Sequence, residues 1–457
     1  MFSVFFKRSN RVRRSISPSY LVFIWFGIII FTGSVLLWTP WAHVDGVEAT
    51  GALTALFTTV SAACVTGLTV VNVGETYSFF GQVVIFLLLE LGGLGIMTFA
   101  HLGFNLLGRR SSIGYQAATE ISLFQSDAAS QFKRSFQLIL GVTLIIQLVG
   151  AALMLATLLP RHWEEPDGVW RAVWSAMFHT VSAFCNGGFS LYPGGLDGLG
   201  GNVPFLFLLL VLITLGGLGN TVLVELRRLP RTIRTEKKPR WLSLHTRVVL
   251  VTTACLLVCG VAGAMIFGVE SGGVSSLGNE VFLMVSGRTA GFSTVPVDKA
   301  PLPTVLLLIA LMFIGGSPGS CAGGIKTTSL AIWLARIKAN LRHDTNVNLF
   351  GYTIAPDLVS RARILMALTM LWNLVGVFIL VVGNPGERLE TLVFEQVSAF
   401  GTVGLSMNFT QRLDTLSRLW IILSMFVGRL GPLSIALWVV PTVKAQIHRP
   451  VGRIMVG

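Results

Sequence analysis

Charge is what this 457-residue chain has least of: 12% of its residues are Asp, Glu, Lys or Arg, against 53% hydrophobic. A soluble surface needs far more charge than that, so composition excludes an ordinary soluble domain. Metal ligands are equally thin. The cysteines Cys64, Cys185, Cys255, Cys259 and Cys321 show no zinc spacing. Cys255 and Cys259 share a helix face, but no histidine completes a set. The histidines are scattered, and no nucleophile–base pair or paired carboxylates stand at membrane depth, which leaves a membrane enzyme with little support. No cleavable leader is expected either. The first apolar stretch, residues 20–38, is too long for a signal core and reads as a spanning helix with its N-terminus inside.

What the chain has in abundance is long apolar runs, and a helix crosses a bilayer with about 20 such residues. Lys and Arg number 34 against 21 Asp and Glu, a net charge of +13. That excess invites a nucleic-acid reading, but the basic residues cluster beside the ends of the apolar runs, around residues 7–14, 109–134, 227–247, 336–363 and 444–453. The positive-inside rule keeps such loops, and both termini, in the cytoplasm, and no nucleic-acid partner is expected. The opposite loops carry Asp45, Glu48, Glu75, Glu164, Glu165, Asp167, Glu270, Asp298 and Glu387, which would draw cations to an outer mouth.

Four segments share the pattern x-Gly-[Leu/Phe]-[Ser/Thr], centred on Gly67, Gly188, Gly291 and Gly404 and spaced 121, 103 and 113 residues apart. A second glycine landmark follows each at near-constant distance: residues 92–95, 216–219, 315–318 and 428–431. Each quarter therefore has one order. A long apolar span (20–38, 136–159, 247–268, 363–383) precedes a short apolar segment (52–63, 169–184, 276–286, 390–400). A glycine loop follows, then a second span (80–107, 203–226, 304–337, 416–440) expected to break at its glycines. The short segments cannot cross a bilayer and read as re-entrant helices. The expected fold is an all-α polytopic membrane protein. It has four tandem helix–pore loop–helix repeats (1–110, 111–230, 231–345 and 346–457) around a pseudo-fourfold central pore.

Backbone carbonyls in such a ring can replace the water around a cation. The filter residues are Val65, Thr66 and Gly67; Asn186, Gly187 and Gly188; Thr289, Ala290 and Gly291; and Thr402, Val403 and Gly404. Carbonyl rather than carboxylate oxygens favour a monovalent alkali cation over calcium. Thr402-Val403-Gly404-Leu405 is nearest to the Thr-Val-Gly-Tyr run of potassium-channel filters. In the third quarter Gly315, Gly316, Ser317, Pro318, Gly319, Ser320, Gly323 and Gly324 cannot hold a regular helix and are expected to form a loop that obstructs the pore. Lys326 and Arg429 stand at membrane depth below the filter, as a barrier or in carbonyl contact, and Lys326 could equally snorkel to the inner interface. Arg288 is expected to tie to Glu280 or to carbonyls, and Glu90 to make an interhelical hydrogen bond. The run 319–327 lacks phosphate-loop spacing, with an extra residue before the lysine, and no strand precedes it.

The four glycine loops, the Gly315–Thr328 run and Arg429 together resemble the Trk/Ktr/HKT superfamily of potassium transporters, over nearly the whole chain. The length, and a first helix that opens the first repeat directly, look more like the Ktr-type membrane subunits. The resemblance implies one filter glycine per repeat, an intramembrane gating loop and a pore arginine at Arg429. It implies potassium as the transported ion, because Gly67 stands where sodium-selective plant relatives carry serine, with sodium as an activating or coupled ion. It also implies a homodimer on a cytosolic ring of nucleotide-binding subunits. Gly187 stands where alanine is usual, and Cys321 where a small hydroxyl residue is usual. The rival to a gated channel-like pathway is a sodium- or proton-coupled carrier. Such carriers show inverted repeats, whereas these four run in one direction.

Overall fold

A computed structural model describes residues 18–47, 49–108, 124–162, 167–235, 242–267 and 274–431. Glu48, Glu164, Glu165, Glu270, the basic groups at 7–14, 109–110, 237–240 and 444–453, both termini and the last part of the fourth second span lie outside these residues. Four long helices, α1 (Pro18–Trp38), α5 (Phe124–His162), α9 (Leu244–Phe267) and α13 (Pro356–Gly383), are each followed by a short one: α2 (Ala52–Ala63), α6 (Gly168–Phe184), α10 (Val274–Ser286) and α14 (Leu389–Gly401). A one-turn helix, α3 (Val73–Thr76), follows the first glycine loop. The second spans are α4 (Phe79–Gly108), α7 (Val203–Leu218) with α8 (Asn220–Thr235), α11 (Leu302–Phe313) with α12 (Thr327–Leu341), and α15 (Thr415–Leu430). A two-residue-per-strand hairpin, β1 (Asn348–Leu349) with β2 (Tyr352–Thr353), joins α12 to α13.

Burial divides these helices into an inner and an outer set. Every residue of α14 from Thr391 to Gly401 is buried apart from Val393, while α13 exposes Leu374 and Phe378, each at 69%. Exposed apolar faces on long helices suit lipid rather than water. Among the described residues, the stretch 139–160, α9 and α13 are each long and apolar enough to cross a membrane, as is the pair α7–α8 taken as one bent span.

Packing runs in a closed circle. The second span of each quarter lies on the short helix of the next: α4 on α6, α7 on α10, α11 on α14, and α15 on α2. Four apolar clusters occupy the four seams. One joins Ile85 and Leu89 to Phe178 and Phe184. A second joins Leu209 and Ile213 to Phe282. A third joins Leu308 and Met312 to Phe394, and a fourth joins Ile421 and Met425 back to Phe57.

The expected breaks divide by quarter. Helices α7 and α8 bend by 102° across Gly219, whose φ is +82°. Helix α11 stops at Phe313, and α15 ends at Leu430 before Gly431, at φ +86°. The first quarter corrects the expectation: α4 runs unbroken through Gly92, Gly93 and Gly95. Close approach explains these glycines. A Cβ on Gly92 would strike the Ala63 carbonyl oxygen, and one on Gly93 would lie 2.8 Å from the Cys185 sulfur. Gly216 and Gly428 press in the same way on the carbonyls of Phe184 and Phe400, each at the end of a short helix. Small residues at a helix crossing let backbones meet.

Candidate functional site

Each short helix ends in a turn with one backbone signature. The residue two before the glycine and the glycine itself both have positive φ: Val65 (56°) and Gly67 (94°), Asn186 (60°) and Gly188 (66°), Thr289 (73°) and Gly291 (76°), Thr402 (48°) and Gly404 (95°). The residues between them, Thr66, Gly187, Ala290 and Val403, are not in that region. β-Branched Val65, Thr289 and Thr402 pay strain there, on the order of 1–3 kcal/mol each, which persists only where the surroundings enforce it. The enforcement is visible in the amides. Thr66 N–H donates to Ser61 O (2.7 Å), Gly187 N–H to Ser182 O (2.6 Å), Ala290 N–H to Ser286 O (2.8 Å) and Val403 N–H to Ser398 O (2.9 Å). In a trans peptide the C=O opposes the N–H, so with these amides turned back onto the helix the carbonyls of Val65, Asn186, Thr289 and Thr402 point away from it.

The four turns touch one another in cyclic order. A Cβ on Gly67 would lie 2.6 Å from Gly187 O, and one on Gly188 would lie 2.9 Å from Ala290 O. A Cβ on Gly291 would strike Val403 O, and one on Gly404 would strike Thr66 O, closing the circle. All twelve filter residues named from sequence are thus brought together. Asn186 adds a lateral tie: its amide nitrogen donates to Ala183 O (3.0 Å) and Ile213 O (3.2 Å), and its oxygen accepts from the Thr289 hydroxyl (3.1 Å).

The rest of the motif now has a physical reading. The Leu or Phe after each glycine is an anchor. Leu68, Phe189, Phe292 and Leu405 are at most 2% exposed, and each enters a different seam cluster. The hydroxyl that follows is a fastening point in two quarters: Ser190 meets His179 Nε2 (3.2 Å), and Ser406 donates to Glu395 (2.8 Å). His179 and Glu395 both stand nine residues before the glycine. A further brace stands six before it. Ser61 Oγ accepts from Gly67 N–H, Ser182 Oγ donates to Phe189 O, and Ser398 Oγ accepts from Gly404 N–H while donating to Leu405 O. Sequence reasoning missed these residues, although the fixed offset from the glycine would have exposed them. In the third quarter Val285 replaces that serine.

On one side the turns open into a vestibule of about 460 Å3, lined by the four glycines and by Thr69, Asn72, Ser190, Tyr192, Ser293, Ser406, Asn408 and Gln411, among others. None of its lining residues is acidic. Among the described residues, no acidic side chain of the outer loops lines it; Glu387, for example, pairs with Arg412 at 2.9 Å. Among the described residues no three His, Cys, Asp or Glu side chains form a metal cluster.

On the opposite side lies the glycine-rich loop 314–326, pinned from all quarters. Gly315 N–H donates to Ile325 O (2.8 Å) and Thr327 N–H to Gly316 O (3.0 Å), which closes its neck. Ser317 and Cys321 N–H donate to Gly217 O and Gly216 O, while Gly319 O accepts from Asn220 N–H, so the loop fills the α7–α8 bend. A Cβ on Gly323 would strike the Thr402 side chain, directly under the fourth turn. Lys326 donates to Ala322 O, stapling the loop to itself. Arg429, 3% exposed, donates to Cys321 O and, at 2.9 Å, to Gly92 O. It finds carbonyl partners, and so ties loop to α4. Arg288 borders a cavity of about 20 Å3 beside Asn186, Thr214 and Thr253, and its Nε has no partner. Glu90 accepts from Gln147 (2.9 Å) on α5, the expected interhelical bond, with its second oxygen unpartnered.

Comparison with known proteins places the same chain in one company. Residues 25–445 match the family model TrkH, described as a cation transport protein. The potassium/sodium uptake protein NtpJ of Enterococcus hirae is 34% identical over 93% of both chains. The Ktr system potassium uptake protein B of Bacillus subtilis is 31% identical over 96% of this chain and 97% of its own. The crystal structure of the potassium transporter TrkH from Vibrio parahaemolyticus shares the fold, with a TM-score of 0.73 over 95% of this chain and 87% of that one, at 17% identity.

Proposed function

The chain belongs to the TrkH family of cation transport proteins, and from that membership we propose that it takes up potassium through a gated, channel-like pore. The four glycine turns are its selectivity filter and the loop 314–326 is its gate. The observation that carries this reading is the cyclic contact of Gly67, Gly188, Gly291 and Gly404, each close to the carbonyl before the next glycine. Gly67 and Gly404 N–H donate to Ser61 and Ser398 Oγ and Gly291 N–H to Ser286 O, which in trans peptides leaves the Thr66, Val403 and Ala290 carbonyls facing away from the short helices, free to coordinate a dehydrated cation. The uncharged lining of the vestibule suits a monovalent ion.

The gate reading rests on the loop's contacts with α4, α7–α8 and the fourth turn; in this reading its backbone lies across the path below the filter. The four quarters are repeats with boundaries near 110, 230 and 345. Sodium is an activating or coupled ion in this reading, in keeping with the potassium/sodium uptake named for the Enterococcus relative. The cell membrane is the site of action, with both termini cytoplasmic. The working unit is a homodimer on a separate nucleotide-binding ring, in keeping with the Ktr system named for the Bacillus relative.

Gly67→Ser tests the filter. Its φ of +94° and the 2.6 Å approach to Gly187 O leave no room for a side chain without moving the second turn. In liposome flux assays sodium should then compete better against potassium. Unchanged competition in folded protein would remove the filter assignment.

A further inference from the structure

Glu395 is fully buried in α14, and both its oxygens are engaged: Oε2 accepts from the Ser406 hydroxyl at 2.8 Å and Oε1 from the Thr410 hydroxyl. Among the described residues no Lys, Arg or His is paired with it. A buried carboxylate without a counter-charge is costly, and two hydroxyls offset only part of that cost. Ser406 itself lines the vestibule, so the carboxylate stands one hydroxyl behind a cavity whose lining residues carry no acid. The corresponding positions in the other quarters are Thr58, His179 and Phe282, so this acid occurs in one quarter only.

We propose that Glu395 is the anionic positioning residue of the outer vestibule, and that a monovalent cation drawn into the vestibule is its counter-charge, with Ser406 Oγ, which also accepts from the Phe409 (3.1 Å) and Thr410 (3.4 Å) amides, standing between them. The inference rests on the filter reading and adds to it a loading site before the filter. Acting through Ser406 and Thr410, Glu395 sets how readily a cation enters. The filter glycines set which cation passes. One charge placed behind the cavity on a single quarter concentrates cations without a carboxylate that would bind a divalent ion tightly.

The test is potassium uptake by the full-length protein in liposomes, measured against external potassium for wild type, Glu395→Gln and Glu395→Asp. Gln keeps the shape and can still accept a hydroxyl, whereas Asp keeps the charge. Glu395→Gln should raise the half-saturating potassium concentration by roughly tenfold with a near-unchanged maximal rate. Glu395→Asp should recover most of that loss. A folded Glu395→Gln protein with wild-type half-saturation, or one that loses only maximal rate, overturns the inference. Should both variants fail to fold, rubidium-soaked wild-type protein supplies the answer. Anomalous density beside Ser406 in the vestibule is expected, and density confined to the ring of glycine turns overturns the proposal. The two readings fail separately. If Gly67→Ser alters sodium competition while Glu395→Gln leaves half-saturation unmoved, the filter stands and the loading site falls. If Gly67→Ser leaves competition unmoved, the filter reading falls.

Discussion

At the scale of the residue, each position of the glycine motif does a different job. The glycine permits positive φ and close approach, the Leu or Phe anchors the turn in a seam, and the hydroxyl fastens it to the short helix in the second and fourth quarters. The anchor lends itself to measurement. Phe189 is 1% exposed in the seam between α4 and α6. Phe189→Ala should cost about 3–5 kcal/mol through lost packing and the cavity left behind. A large drop in thermal stability in detergent checks this, and a drop no greater than that of an exposed Phe378→Ala control would contradict it. The brace is subtler. Ser398 Oγ bonds both Gly404 N–H and Leu405 O, so Ser398→Ala strands two backbone groups, at about 1–3 kcal/mol. Potassium over sodium discrimination should fall while the protein still folds, read by cation competition against wild type.

At the scale of the element, the glycine-rich loop and Arg429 form one latch. The arginine donates to Cys321 O in the loop and to Gly92 O in α4, and Cys321 itself packs against α4 beside Gly93 and in the cluster of Ile85 and Leu89. Removing several residues within 315–324, or Arg429→Ala, should raise potassium flux. Reduced flux in well-folded protein would count against the loop as gate. Helix α15, which carries Arg429, is capped by Asp414, whose carboxylate accepts from the Leu416 (3.1 Å) and Ser417 (3.0 Å) amides. Burial alone would raise this carboxyl, but the Ser417 hydroxyl and amide, the Leu416 amide and Asn384 outweigh it and hold it below the ordinary aspartate value. Asp414→Ala should cost about 1 kcal/mol near neutral pH. A lowered folded pKa means the cap is fully present above the unfolded pKa and lost as pH falls through the folded one. The gap in melting temperature between wild type and variant should therefore close in acid.

Legibility followed the same scale. The short helix 52–63 was readable to the residue because apolar periodicity ended at a glycine turn, and the broken third quarter because no helix tolerates its glycine density. The unbroken α4 was not readable. Gly92 and Gly216 look alike in sequence, and only their neighbours, a crossing carbonyl in both but a bend at Gly219 in one, tell them apart. Ser61, Ser182, Ser398, His179 and Glu395 were passed over because a polar residue in a short apolar helix carries no signal until the turn it supports is seen.

At the scale of the whole molecule, four seams and four contacts of glycine with carbonyl close the same circle, the fourth quarter meeting the first through α15 and α2. In the proposed gate the parts are not shared so evenly. The third quarter supplies the loop and the fourth supplies Arg429; the loop meets the α7–α8 bend of the second quarter, and Arg429 meets α4 of the first. The proposed reading, a closed ring with a latch below it, predicts transport without alternating access, and that prediction is open to direct test. Purified protein in liposomes should be given a potassium gradient alone, with sodium absent and no proton gradient. Potassium should run down its own gradient, faster when residues within 315–324 are removed. Flux that appears only when a sodium or proton gradient is imposed would contradict a channel-like pore.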